Sequence, residues 1–339
     1  MISINRECEW IMEINRRALY NSLRMNWILQ PTAEVEAWQV EDYRAMPTDG
    51  LFERLEDRHI RLDKSSFAAF ADAVDTPEEL TDTLVGEMPE DMRSYDQIYL
   101  VVFELWRRLL PEKTCLSIFC DELDHQISLY DQGHISLVES IEDALANLRV
   151  ILDENTDEGA DPHDAFDCIN GGCANDIETF LHDFISEQID NSNELYASEL
   201  IEGFTVYIHD VKWFDFLRAR VISSTDTAEA NRIIKQLLSR KNALSDLEFN
   251  LEVLSFLVAY GDKETFDNLV KKSIPLLEVE EDFNSLLSIG VDFYHRLDKE
   301  SVEMALERIL RERQNRDPNG AINPQDSHFS ELLRILSQV

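Results

Sequence analysis

Thirty-six residues separate Asp226 from Asp262, and thirty-six more separate Asp262 from Asp298. The residues after each aspartate are alike: Asp226-Thr-Ala-Glu-Ala-Asn-Arg-Ile233-Ile234, Asp262-Lys-Glu-Thr-Phe-Asp-Asn-Leu269-Val270 and Asp298-Lys-Glu-Ser-Val-Glu-Met-Ala305-Leu306. Aspartate is a favoured helix N-cap, and the apolar pair falls two turns further on. A second apolar stretch precedes each unit, around Trp213, Phe249 and Phe283, and Phe249-Asn250 and Phe283-Asn284 share a dipeptide. The spacing predicts helix–turn–helix units with a period of 34–36 residues, each needing a neighbour to cover its apolar face.

The rest of the chain supports an all-α fold. Ten glycines and nine prolines in 339 residues are too few for the many turns of a β-rich protein. Apolar residues recur at helical spacing from Asn5 to Leu29, at Trp10, Ile11, Ile14, Leu19, Leu23, Trp27 and Ile28. Residues 33–63 carry no clear period and are expected to be irregular chain pinned by Trp38, Tyr43, Leu51 and Phe52. Helices are expected at 64–74 and at 77–86. The second opens with Thr76-Pro77-Glu78-Glu79, a cap followed by proline and acids in the first turn. A buried helix is expected at 92–110, and others at 112–131, 134–153, 163–169 and 174–190. The run from Asp153 to Asp164 has no apolar residue but Ala160 and reads as a long exposed loop. The expected organisation is a helical N-terminal domain (1–152), an acidic loop with connecting helices (153–193) and a short α-solenoid (194–339).

Over roughly residues 195–312 this pattern resembles tetratricopeptide-like helical repeats. Trp213, Phe249 and Phe283 match the bulky residue that such repeats favour early in the first helix. Leu217, Val253 and Leu287 stand near a position usually held by Gly, and Glu229, Thr265 and Ser301 near one usually held by Ala. The resemblance therefore implies stacked α-hairpins and, through them, a surface for protein partners.

Charge narrows the class of partner. The chain holds 31 basic and 68 acidic residues, a formal charge of −37. Direct binding to nucleic acid, which rests on basic side chains displacing counterions, is not expected; nor is binding to an anionic membrane. The excess is local. Residues 150–211 contain 16 acidic residues and no Lys or Arg, whereas residues 212–339 contain 22 acidic and 17 basic. Such a block is solvated or covered by a basic partner. Its candidate interaction surface is Asp153, Glu154, Asp157, Glu158, Asp161, Asp164, Asp167, Asp176 and Glu178. Charges at Arg6, Glu7 and Glu9 interrupt any signal-peptide core, and the five cysteines are too few for a disulfide scaffold. A cytoplasmic location is the expectation.

Sites for chemistry are sparse. Glu122-x-x-His125 places two metal-ligating side chains on one helical face, but one such unit is present, where di-iron proteins use two. Asp131-x-x-His134 spans Gly133, and Asp292-x-x-His295 has the shorter acid. Asp153, Asn155, Asp157, Asp161 and Asp164 superficially fit a calcium loop. The match breaks at Glu158, where glycine is needed, and at Asp164, where the ligand should be a bidentate Glu. Cys115/Cys120 and Cys168/Cys173 share a spacing and fit buried apolar cysteines better than a zinc site. Trp213, Phe214 and Phe216 are expected in the core. No metal and no cofactor is therefore expected.

Three functional readings are open. The first is a non-catalytic adaptor, scaffold or chaperone-like protein that binds a basic protein or segment. The second is a nucleic-acid mimic that inhibits a DNA- or RNA-binding protein. The third is a metal-dependent all-α enzyme using Glu122 and His125.

Overall fold

The computed structural model describes residues 11–31, 34–86, 91–133, 141–240, 245–323 and 325–337, with side chains from Arg16 onward. The described residues form seventeen α-helices and two short 3-10 turns, and no strand beyond an isolated bridge between Val279 and Ala321. The all-α class is as expected. The first turn of the first expected helix, with Trp10, and the expected helix start at 134–140 lie outside the described residues. The chain packs as two units, Met1–Leu181 with Val206–Ile208, and His182–Thr205 with His209–Val339.

The first unit contains α1 (Ile11–Leu29), α2 (Thr48–Glu56), α3 (Lys64–Ala71), α4 (Pro77–Val85), α5 (Met92–Leu109), α6 (Leu116–Asp131), α7 (Ile141–Asp157) and α8 (Pro162–Gly172). The helix α9 (Ile177–Asp190) contributes residues to both units. Thr76 caps α4 by accepting from the Glu79 amide, and Pro77 opens the helix. The helix α5 is buried all round from Ile98 to Trp106, as a helix must be when α2 and α4 cover it. Even Glu104 is fully buried there, with its carboxylate held by Arg107 and Arg108.

Two expectations for this unit are corrected. Residues 33–63 are not irregular throughout, because Thr48–Glu56 is helical and buries Leu51 and Leu55. Gly50 and Pro47 masked that short apolar stripe. Nor is 153–164 a long loop. The helix α7 continues to Asp157, and three residues lead on to Asp161, the cap of α8. The stripe Leu145, Leu148, Ile151, Leu152 continues through a buried polar residue, Asn155, whose amide donates to the Ile151 carbonyl at 2.7 Å. The helix ends where Gly159 adopts φ 105°, and the Ala160 amide returns to the Asn155 carbonyl at 3.0 Å.

The second unit contains α10 (Glu194–Phe204), α11 (Val211–Ser223), α12 (Thr227–Leu238), α13 (Leu247–Tyr260), α14 (Lys263–Ser273), α15 (Glu280–Arg296), α16 (Glu300–Arg313) and α17 (Ser327–Ser337). Neighbours in sequence pack as pairs: α11 with α12, α13 with α14, α15 with α16. The first helices of these pairs also pack on one another, α13 against both α11 and α15. They run the same way. Lys212 at the start of α11 binds Asp246, the cap of α13, at 3.0 Å, so two N-termini meet. Arg296 at the end of α15 donates to the carbonyls of Ala259 and Gly261 at the end of α13, at 3.0 and 2.6 Å.

One core runs through these pairs and includes Phe216, Phe249, Phe266, Phe283 and Phe293. Phe266 stacks on Phe293 with centroids 3.7 Å apart. Phe214 and Phe216 are buried as expected, and Trp213 is half-buried with its edge on Phe249. The helices α15 and α16 come close at Gly290, where an added Cβ would stand 3.2 Å from Leu306 Cδ1. That is one turn beyond Leu287, the position at which the repeat pattern called for a small residue.

Candidate functional site

The predicted acidic residues fall on α7, α8 and the start of α9, all within the first unit. Asp153 and Asp157 are exposed at the C-terminal end of α7, and Glu158 and Asp161 in the turn after it. Asp164 and Asp167 lie on α8, three residues apart and so on one face, and both are exposed. Glu154 and Glu178 are half-buried. Since α7 and α8 pack together, these carboxylates come from adjoining helices. Some carry local duties. Asp161 accepts from the His163 amide at 2.9 Å, and Asp176 from the Thr179 amide at 3.2 Å. Asp153 accepts from the Tyr207 hydroxyl at 2.5 Å and lies 3.6 Å from Arg149, the last basic residue before the base-free run. The turn of residues 158–161 is too short for the calcium-loop geometry, in agreement with its broken sequence pattern.

A second, unpredicted constellation lies where α1 faces α6. On α1, Arg17, Asn21, Arg24, Met25 and Ile28 share one face; on α6, Asp121, Asp124, His125, Ser128, Leu129 and Gln132 do. Together with Asp42 and Arg44 they line a cavity of about 260 Å³. The segment that carries Arg44 is fixed from the core. Arg108, anchored on buried Glu104, donates to the carbonyls of Tyr43, Arg44 and Met46 at 2.9, 2.9 and 2.7 Å.

Asp121 is 2% exposed and accepts from Arg17 at 2.6 Å, Arg44 at 2.5 Å and Asn21 at 3.0 Å. Burial pushes its carboxyl up, but Arg17 and Arg44 outweigh burial and hold it well below the usual carboxylate range. Asp124, 3% exposed, instead clamps the turn between α8 and α9. It accepts from the Ala174 amide at 2.8 Å, the Asn175 amide at 3.0 Å and the Asn175 side chain at 2.8 Å. Amide donors compensate burial less than a cation does, so burial leaves its carboxyl raised. His125 is half-buried; burial first, then the Arg44 charge, lower its pKa, so the imidazole is neutral at neutral pH.

The structure gives Glu122 a different employment from that of a metal ligand. It accepts from Arg44 at 2.9 Å and lies 4.0 Å from Arg107. Among the described residues no group of three His, Cys, Asp or Glu is placed to hold a metal ion. The Asp131/His134 pair lies partly outside the described residues. His295 binds Glu303 at 3.0 Å rather than Asp292. Cys115, Cys120 and Cys173 are buried thiols, and the Cys120 Sγ donates to the Ile169 carbonyl at 3.7 Å. A hydrogen bond with Cys120, then burial, raise the Cys173 thiol, which makes it an unreactive core residue.

In comparisons with known proteins, no family model, no curated protein and no solved structure matches this chain. No helix of the described residues is long and apolar enough to cross a membrane.

Proposed function

We propose that this protein is a non-catalytic interaction protein that binds a basic protein or segment through the acidic surface on α7 and α8. The observation that carries this reading is the set of carboxylates Asp157, Glu158, Asp164 and Asp167 on adjoining helices and the turn between them, all four exposed, within a stretch that offers no Lys or Arg of its own. No Lys or Arg stands three or four residues from Asp157, Glu158 or Asp164, whereas elsewhere in the chain such a neighbour pairs with the acid, as Arg308 does with Glu312. A basic partner supplies what the sequence omits. Opposite charge of this kind sets encounter rate and partner choice more than final affinity, and salt screens it. The paired helices of the second unit, which resemble stacked α-hairpins, give the protein the character of an adaptor or scaffold.

The test uses the full chain and a fluorescent oligolysine probe. One variant neutralises the surface with Asp157→Asn, Glu158→Gln, Asp164→Asn and Asp167→Asn, none of which is a helix cap. A control neutralises four exposed acids of the same unit, with Glu53→Gln, Asp57→Asn, Asp72→Asn and Asp75→Asn. The surface variant should bind about tenfold more weakly, the control should bind like the parent chain, and salt should weaken parent binding steeply. Equal losses in variant and control, or salt-insensitive binding, would overturn the reading.

A further inference from the structure

The cavity between α1 and α6 is not part of the acidic surface, and its chemistry points elsewhere. Its acids are spent. Asp121 and Asp124 accept the internal bonds described above, and Asp42 is engaged by both terminal nitrogens of Arg24. Donor capacity is mostly what is left over. The side-chain hydrogen bonds of Arg44 all leave through Nη2, so Nε and Nη1 donate to no described residue. Neither ring nitrogen of His125 is hydrogen-bonded to a described residue, although the ring lines the cavity. None of these nitrogens is among the fully buried unpartnered polar atoms of the described residues, so they are accessible and open to an acceptor.

The opposite wall is apolar. Met25, Ile28 and Leu129 line it, and the end of α1 that forms its lip exposes Trp27, Ile28 and Leu29 at 37, 56 and 79%. Exposed large apolar side chains in succession at the rim of a polar cavity are unusual for a chain this strongly charged. One wall therefore asks for an acceptor and the other for hydrocarbon. The volume, near the lower end of small-molecule sites, limits the ligand to a small one.

We propose that this cavity is a binding site for a small amphipathic carboxylate, whose head accepts from Arg44 and His125 and whose apolar body rests on Met25, Ile28 and Leu129. Arg44 is prepared for this role. Asp121 and Glu122 hold its Nη2 edge, and Arg108 holds its backbone, so its free edge is oriented before the ligand arrives and little ordering is left to do. Of the residues lining the cavity, Arg17, Arg24 and Arg44 stand with Asp42, Asp121 and Asp124, and Glu122 lies behind Arg44, in a protein whose acids outnumber its bases by more than two to one. That local enrichment in arginine is what admits an anion.

Octanoate is a suitable probe, with 1-octanol and octylamine as controls of equal chain length. Titration of the full chain, followed by the side-chain resonances of His125, should show saturable one-to-one binding of octanoate. The alcohol and the amine should bind at least about tenfold more weakly, as expected for loss of a charge-assisted hydrogen bond. His125→Gln should weaken octanoate binding. Met25→Trp, which fills the cavity from its apolar side without touching the Arg44–Asp121 pair, should abolish it while circular dichroism and thermal melting stay those of a folded protein. Unsaturable binding, equal binding of all three probes, unmoved His125 resonances, or full binding by folded Met25→Trp would each overturn the proposal.

Discussion

Arg313 is the largest charged side chain that the fold buries completely. Its Nε and Nη2 donate to Glu280 at 3.0 and 2.8 Å, and its Nη1 to Asp326 at 2.7 Å. The guanidinium also lies 4.5 Å from the centre of the Phe283 ring. Arg316 reaches the same two carboxylates at 2.9 and 2.8 Å. One residue thus joins the start of α15, the end of α16 and the approach to α17. Arg313→Ala leaves buried Glu280 with Arg316 as its remaining cation, so the loss should fall near the lower end of the about 3–5 kcal/mol that removal of one partner from a buried pair costs. Urea denaturation of parent and variant should show that loss at neutral pH. The loss should shrink in acid, and its sign is set by Asp326. Burial raises its carboxyl, but the His328 amide and then Arg316 and Arg313 outweigh burial and hold it well below the usual range. Stability drawn from a depressed carboxyl is present above the unfolded value and disappears as pH falls through the folded one. Equal losses at neutral and acid pH would contradict this account. None of this network was legible in the sequence, because its members stand at positions 280, 313, 316 and 326 with no spacing to link them.

At the scale of elements, two of the three aspartates spaced by 36 residues serve the helix that follows them, and the third serves the helix before it. Asp226 and Asp262 are N-caps, accepting from the amides of Glu229 and Thr265 at 3.0 Å each. Asp298 is not. It sits at φ 53° just past α15, with its amide on the His295 carbonyl and the Lys299 amide on the Tyr294 carbonyl, both at 3.0 Å. That is a left-handed C-terminal cap of the preceding helix, a place that glycine usually fills. His59 and Ser192 occupy the same kind of position, at φ 66° and 62°, so the scarcity of glycine that argued for helices also leaves strained caps behind. Asp226→Ala and Asp262→Ala should each lower stability by about 1 kcal/mol. Asp298→Gly should raise it, by about 0.5–1 kcal/mol. Thermal melts of the three variants check this directly, and a destabilised Asp298→Gly would show that its carboxylate matters more than its backbone. Helix existence was legible from apolar spacing, as at Ile98–Trp106. Helix ends were not where a buried polar residue such as Asn155 stood in the stripe. The cavity escaped notice for a related reason: Arg17, Arg44 and Asp121 are far apart in sequence, and only the packing of α1 on α6, with the Arg44 segment held by Arg108, brings them together.

For the molecule as a whole, the charge of −37 has two consequences that oppose each other under added salt. The ordered ion pairs weaken only slightly, since the strongest, such as Arg17–Asp121 with side chains 9 and 2% exposed, are shielded from counterions. The unpaired excess is different. It lies on exposed helix faces, and folding brings those carboxylates closer together than the unfolded chain would hold them. Screening should therefore relieve more repulsion than it costs in attraction. Raising sodium chloride from about 20 to about 300 mM, which shortens the screening length severalfold, should move the urea midpoint upward, by an amount that the surface-neutralised variant of α7 and α8 shows in smaller measure. Urea is the appropriate denaturant because it adds no ions of its own. A midpoint that falls with salt would mean that surface ion pairs outweigh the excess. A rise of equal size in parent and variant would place the repulsion elsewhere than the base-free stretch. Stability and function meet in these residues: carboxylates that repel one another in the free protein are relieved by a basic partner, so the groups that lower stability at low salt are the ones that favour the complex.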